Sequence, residues 1–129
     1  MTLEQFKKGY PEGMKFKVLD ETYTLHYSNE KENPKLKGAA GIVELFTKEI
    51  FLDINDTFDD ESSMEHVELY WEKVIRHELM HALFHELGLT KYCDDEKLVE
   101  VLALKYPSIE KIMNQATGKF NKPKKKKKS

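Results

Sequence analysis

Three histidines spaced four residues apart are the first feature of this sequence that points to chemistry. The segment HELMHALFHELG, residues 77–88, carries them at His77, His81 and His85, and Glu78 follows the first of them. Residues four apart on an α-helix share one face and lie one turn apart, so two imidazole rings can reach one ion. The H-E-x-x-H pattern of His77, Glu78 and His81 therefore predicts a zinc site with both histidines as ligands.

Glu78 is predicted to be the general base of that site. Zinc lowers the pKa of a bound water toward about 7, and a neighbouring carboxylate can take the proton as the water attacks a carbonyl carbon. H-E-x-x-H also arises by chance, so its weight depends on a helical context. The stretch from about residue 63 to residue 87 has no Pro or Gly, which agrees with a helix.

A catalytic zinc usually has three protein ligands, so a third must come from elsewhere. His85 lies eight residues after His77, which is over about 10 Å along a helix axis and too far for one ion. Glu96 and Glu100 are four residues apart in the next predicted helix and share a face. Glu96 is our first choice for the third ligand and Glu100 the second.

The segments before the histidines predict a small sheet. Residues 14–27 alternate apolar and polar side chains on either side of Asp20-Glu21, as in a hairpin, and residues 28–41 form a polar loop. Residues 41–55 contain further strand signals, which a turn at Thr47-Lys48 divides in two. We expect a mainly antiparallel sheet in which the strand before the helix presents its edge to an extended peptide.

The helices follow from their capping signals. Ser62-Ser63-Met64-Glu65 fits a capping box, and Gly88 fits a left-handed C-terminal cap, which predicts a helix of about 25 residues and roughly 37 Å. Asp94-Asp95 cap a second helix that stops near Pro107, and Ser108 begins a third short one. Four apolar residues recur at helical spacing in the first helix and should be buried: Val67, Trp71, Val74 and Ile75.

The predicted fold class is therefore α+β: a small sheet packs on a long H-E-x-x-H helix, and a second helix supplies the third ligand. We expect one domain over residues 1–117 and a disordered lysine-rich tail over 118–129. Seven of the 21 Lys and Arg residues lie in that tail, which leaves 14 against 23 acidic residues in 1–117, a formal charge of −9. The tail predicts weak, salt-sensitive contact with nucleic acid or with an acidic surface.

Targeting signals are not evident in the sequence. No long apolar run predicts a membrane span, and the N-terminus lacks the apolar segment of a signal peptide. Cys93 is the one cysteine, so no internal disulfide can form, which agrees with a reducing compartment. We expect a cytoplasmic protein.

The order of these parts resembles a known family. The hairpin, the strand region LFTKEIFLDIN, the helix with HELMHALFHELGL and the following DDEKLVEVLA are similar to the compact gluzincins of the ImmA/IrrE group, which are metallopeptidase-like proteins common in phages and mobile elements. The resemblance covers about residues 14–106. It implies a zinc ion held by His77, His81 and Glu96, with Glu78 as general base and a protein or peptide as substrate.

Three functional hypotheses follow from the sequence, of which the third, a nucleic-acid accessory protein, rests only on the lysine-rich tail. The first is a zinc-dependent metallopeptidase of the gluzincin type. The alternative is a non-catalytic, zinc-containing module of phage or mobile-element origin that binds another protein. An intact Glu78 favours the enzyme, because a structural zinc site requires ligands but no base.

Overall fold

A four-stranded sheet packed against one long helix forms the body of the protein. A computed structural model describes residues 2–54 and 64–120, with only the backbone for 64–66. The strands are β1 (Lys15–Val18), β2 (Glu21–Ser28), β3 (Gly41–Glu44) and β4 (Glu49–Asp53), and the helices are α1 (Leu3–Gly9), α2 (Met64–Glu86), α3 (Thr90–Cys93) and α4 (Glu96–Asn114). The predicted α+β class is confirmed.

The sheet is mixed, with the strand order β1-β2-β4-β3. β1 pairs with β2 and β3 pairs with β4 in antiparallel fashion, whereas β2 and β4 are parallel. The predicted hairpin and the turn at Thr47-Lys48 are both confirmed, and Lys48 has the positive φ of 60° that this turn requires. The prediction that the strand before α2 lies at the edge of the sheet is wrong. This strand, β4, is paired on both sides, and the edge strand beside it is β3.

The core lies between the sheet and α2. Tyr23 and Leu25 of β2 and Ile50 of β4 point to the same side of the sheet, because alternate residues of a strand share a face. They meet the helix face that contains Trp71, whose side chain has no exposed surface. The four apolar residues of α2 that were predicted to be buried are all buried.

α2 ends at a glycine, as predicted. Gly88 has a φ of +78°, the N–H of Leu89 donates to the carbonyl of Phe84, and the N–H of Gly88 donates to that of His85. This pair of bonds is the Schellman motif, which stops a helix by satisfying its last carbonyls. The predicted capping box at the other end involves Ser62 and Ser63, which lie outside the described residues.

α4 continues through the proline that was expected to end it. Pro107 lies inside the helix, and no new helix begins at Ser108. A proline has no N–H to donate to the carbonyl four residues earlier, which is that of Ala103. The Nε of Arg76 in α2 donates to that carbonyl at 2.8 Å, so the group freed by the proline has a partner. The same bond fastens α4 to α2.

Two short helices and the start of the lysine-rich tail are the remaining described segments. α1 and α3 lie where no helix is predicted. Residues 118–120 belong to no helix or strand, and the rest of the lysine-rich tail lies outside the described residues. Within the described ranges, no helix has the length and apolar character needed to cross a membrane.

The close approach of β3 to α2 depends on Gly41. A Cβ atom at this position would lie 3.0 Å from Cγ1 of Val74 and 3.2 Å from the carbonyl oxygen of Phe51. We expect Gly41→Ala to lower the free energy of unfolding by about 1–3 kcal/mol, because the strand must move away from the helix. Chemical denaturation measures this change. Gly9→Ala is the control, since its added methyl meets nothing within 4 Å; equal losses in the two variants would contradict the explanation.

Candidate metal centre

Two helices bring three potential ligands together. His77 and His81 lie on α2 and Glu96 begins α4. The Nε2 atoms of the two histidines are 3.3 Å apart, and Oε1 of Glu96 is 3.1 Å from Nε2 of His77 and 3.3 Å from Nε2 of His81. The three side chains are therefore positioned to hold a metal ion.

The spacing of these atoms fits a small tetrahedral ion. Zinc bonds to nitrogen and carboxylate oxygen are about 2.0–2.1 Å long, and the ligand atoms of a tetrahedral site are then roughly 3.3 Å apart. The three measured separations of 3.1–3.3 Å agree with that value. Two imidazoles and one carboxylate also match the ligand types of catalytic zinc sites, which keep a fourth position for water or substrate.

The hydrogen bonds at the two Nδ1 atoms leave Nε2 of each histidine as the atom that can bind a metal. Nδ1 of His77 lies 2.7 Å from Oε1 of Glu100, and Nδ1 of His81 lies 2.5 Å from the carbonyl oxygen of Cys93. An ionised carboxylate and a carbonyl can only accept, so each Nδ1 must carry the proton. In the neutral form of such a ring the lone pair is on Nε2, the atom that faces Glu96.

The two candidate glutamates have different positions. Glu96 is the first residue of α4, just after Asp95, whose carboxylate accepts the N–H of Leu98 as an N-terminal cap. Glu100 is one turn further along and lies on the Nδ1 side of His77. Glu96, our first choice, belongs to the group that is positioned to hold a metal ion, whereas Glu100 contacts the other nitrogen of the His77 ring.

Glu100 is held at both of its oxygens. Oε1 accepts from Nδ1 of His77, and Oε2 accepts from Nζ of Lys73 at 2.9 Å. Partial burial raises the pKa of this carboxyl, but the hydrogen bonds from Lys73 and His77 outweigh that effect and hold the pKa below its usual value. Glu100 is therefore an ionised acceptor at neutral pH.

Glu78 is buried beside the two histidines. It is only 6% exposed. Burial raises the pKa of its carboxyl to about 7, although the nearby His77 and His81 act in the opposite direction. A carboxyl with a pKa near neutrality can both accept and return a proton, which is the property required of a general base.

A cavity of about 560 Å³ is lined by His77, His81 and Glu96, the three candidate ligands that we call the metal-binding group. One wall is formed by the segment that leads into β3 and by β3 itself, including Ala40, Gly41 and Ile42. Glu78, Glu96 and Lys73 also line the cavity. An edge strand and the groups that could do chemistry thus border the same cavity.

His85 is not part of this group, as its position eight residues after His77 predicts. The sequence analysis did not identify two groups that take part in holding the histidines, the carbonyl of Cys93 and the ammonium of Lys73. The carbonyl of Cys93 is a backbone acceptor and leaves no signal in residue type. Lys73 did leave a signal, since it lies four residues before His77 and so shares its helix face.

Comparison of the chain with protein families, with curated proteins and with solved structures finds no match. The resemblance to the ImmA/IrrE group accordingly stays a prediction.

The burial of Glu78 predicts a pH-dependent loss of stability. Its pKa is raised on folding from 4.5 to about 7, so the fold favours the neutral form, and the favourable contribution disappears as the pH rises through about 7. Without metal, Glu78→Gln should therefore be more stable than the natural chain by about 2–3 kcal/mol at about pH 8, and the difference should shrink at about pH 5.

Urea unfolding of chelator-treated protein at the two pH values measures this difference. Glu68→Gln is the matched control, because Glu68 is exposed on the same helix. The difference between the two pH values should be larger for Glu78→Gln than for this control, because of the two glutamates only Glu78 is buried. A stability difference for Glu78→Gln that is the same at both pH values would contradict the assigned pKa.

Proposed function

We propose that this protein is a zinc-dependent metallopeptidase of the gluzincin type, with His77, His81 and Glu96 as ligands and Glu78 as general base. One observation carries the proposal. Both Nδ1 atoms are engaged by acceptors outside α2, and the two Nε2 atoms meet Oε1 of Glu96 at separations of 3.1–3.3 Å. These separations are the ones that ligand atoms of one tetrahedral zinc ion would have, which supports a shared metal at this point.

The chain's own residues divide the work of peptide hydrolysis. Zinc, when bound, lowers the pKa of a coordinated water and polarises a carbonyl group. The Glu78 carboxylate accepts the proton of the attacking water and returns it to the nitrogen of the departing amine. Its position beside His77 and His81, with only 6% of its surface exposed, suits this role, because a general base must lie close to the proton that it accepts.

The proposed substrate is an extended peptide that adds to β3. This strand is at the edge of the sheet and lines the cavity that holds the metal-binding group. Strand addition gives affinity through main-chain hydrogen bonds and requires little of the peptide sequence. Ala39 and Ala40, at the start of this wall, are small residues, which favours the approach of a second backbone. Membership of the ImmA/IrrE group is part of the same proposal.

A paired test of metal content and cleavage examines this function. The zinc-loaded protein is incubated with a mixture of unstructured peptides, and products are identified by mass spectrometry. We expect cleavage by the natural chain and at least about 100-fold slower cleavage by Glu78→Gln, since general-base catalysis contributes about 10²–10⁴ in rate. Glu78→Gln should keep its zinc, because Glu78 is not a ligand.

Glu68→Gln is again the control and should cleave at the natural rate, since this glutamate is exposed on α2. Equal cleavage by the natural chain and Glu78→Gln would contradict the assigned base. Bound zinc without any cleavage would favour the alternative hypothesis, a zinc-containing module that binds another protein. Absence of zinc after reconstitution would contradict both.

A further inference from the structure

Lys73 is connected to the metal-binding group through one other side chain. Its Nζ donates to Oε2 of Glu100, and the other oxygen of Glu100 accepts from Nδ1 of His77. Lys73 and His77 lie one turn apart on α2, so the helix backbone fixes their spacing. The ammonium group also lies 5.6 Å from the centre of the Tyr70 ring, a cation–π contact that favours this position of the lysine.

The two histidines differ in what holds them. His81 donates to the backbone carbonyl of Cys93, which cannot rotate away from its ring. His77 donates to the side chain of Glu100, which is 41% exposed and has rotatable bonds. A carboxylate with only one hydrogen bond can turn toward solvent, whereas two donors at different oxygens define its plane. The orientation of His77 therefore needs a second anchor that His81 does not need.

We propose that Lys73 is a positioning residue of the metal centre: it fixes the Glu100 carboxylate so that Nδ1 of His77 keeps its proton and Nε2 faces Glu96. This inference rests on the proposed metal site but not on peptide hydrolysis. Lys73 also neutralises Glu100, so the orienting carboxylate adds no uncompensated negative charge beside the acidic groups of the cavity.

The test compares Lys73→Met with Lys105→Met in the chain of residues 1–129. Methionine keeps most of the aliphatic stem and removes the charge, and Lys105 is an exposed lysine of α4 that serves as the matched control. Zinc affinity is measured by competition with a chelator of known affinity. We expect roughly 3- to 10-fold weaker binding in Lys73→Met, somewhat less than the loss typical of a direct partner of a ligand, and less than about 2-fold in Lys105→Met.

A double-mutant cycle shows whether Lys73 acts through Glu100. In the Glu100→Gln background, Lys73→Met should cause no further loss of zinc affinity, because the group it holds has already been changed. Equal affinity of Lys73→Met and Lys105→Met would overturn the proposal. So would an undiminished effect of Lys73→Met in the Glu100→Gln background, since Lys73 would then act by another route.

A second readout does not depend on zinc. The ¹⁵N chemical shifts of the His77 ring in metal-free protein, recorded at about pH 8, report which nitrogen carries the proton when the ring is neutral. We expect the Nδ1–H form in the natural chain and in Lys105→Met, and a mixture of both forms in Lys73→Met. An unchanged Nδ1–H form in Lys73→Met would overturn the proposal even if the protein binds no zinc, whereas absence of zinc alone would contradict only the proposed function.

Discussion

The hydrogen bonds from the two histidine Nδ1 atoms to acceptors outside α2 are the constraint on which the site depends. They select the ring nitrogen that is free to bind and turn both rings toward one point. One acceptor is the carbonyl of Cys93 at the end of α3, and the other is Glu100 on α4. The chain that follows α2 therefore has to return along it, and the turn at Gly88 with the short helix α3 makes that return possible.

The docking of α4 on α2 sets the position of Glu96. Val99 and Ala103 of α4 are fully buried. Val99 directly precedes Glu100, and Ala103 follows it by three residues. Arg76 reaches from α2 to the carbonyl of Ala103 and thereby satisfies the group that Pro107 leaves without a backbone donor. Apolar burial, the Arg76 hydrogen bond and the Lys73–Glu100 ion pair thus hold the helix whose first residue can complete the metal-binding group.

Much of this arrangement could be predicted because it depends on the spacing of residues that are close together in the sequence. The positions of His77, Glu78 and His81 follow from the period of a helix, and the strand register follows from alternation around Asp20-Glu21. The capping signal at Asp95 placed Glu96 at the start of a helix, which made it a reasonable third ligand.

The rest depends on contacts between segments that are distant in sequence. Pro107 ends a helix unless another element supplies the missing donor, and Arg76 is 31 positions earlier in the chain. The roles of Glu96 and Glu100 could not be separated by spacing, because both share one face of α4. They differ in which nitrogen of the His77 ring each one meets, and this is decided by how the two helices pack.

The central claim is that His77, His81 and Glu96 hold one zinc ion. The most direct test is X-ray absorption at the zinc edge, measured on the zinc-loaded natural chain and on zinc-loaded His85→Ala. The account predicts a four-coordinate zinc with two imidazole ligands, remaining ligands of oxygen at about 2.0–2.2 Å, and an identical spectrum for His85→Ala. A third imidazole that disappears in His85→Ala, or a sulfur ligand at about 2.3 Å that only Cys93 or a methionine could supply, would contradict it.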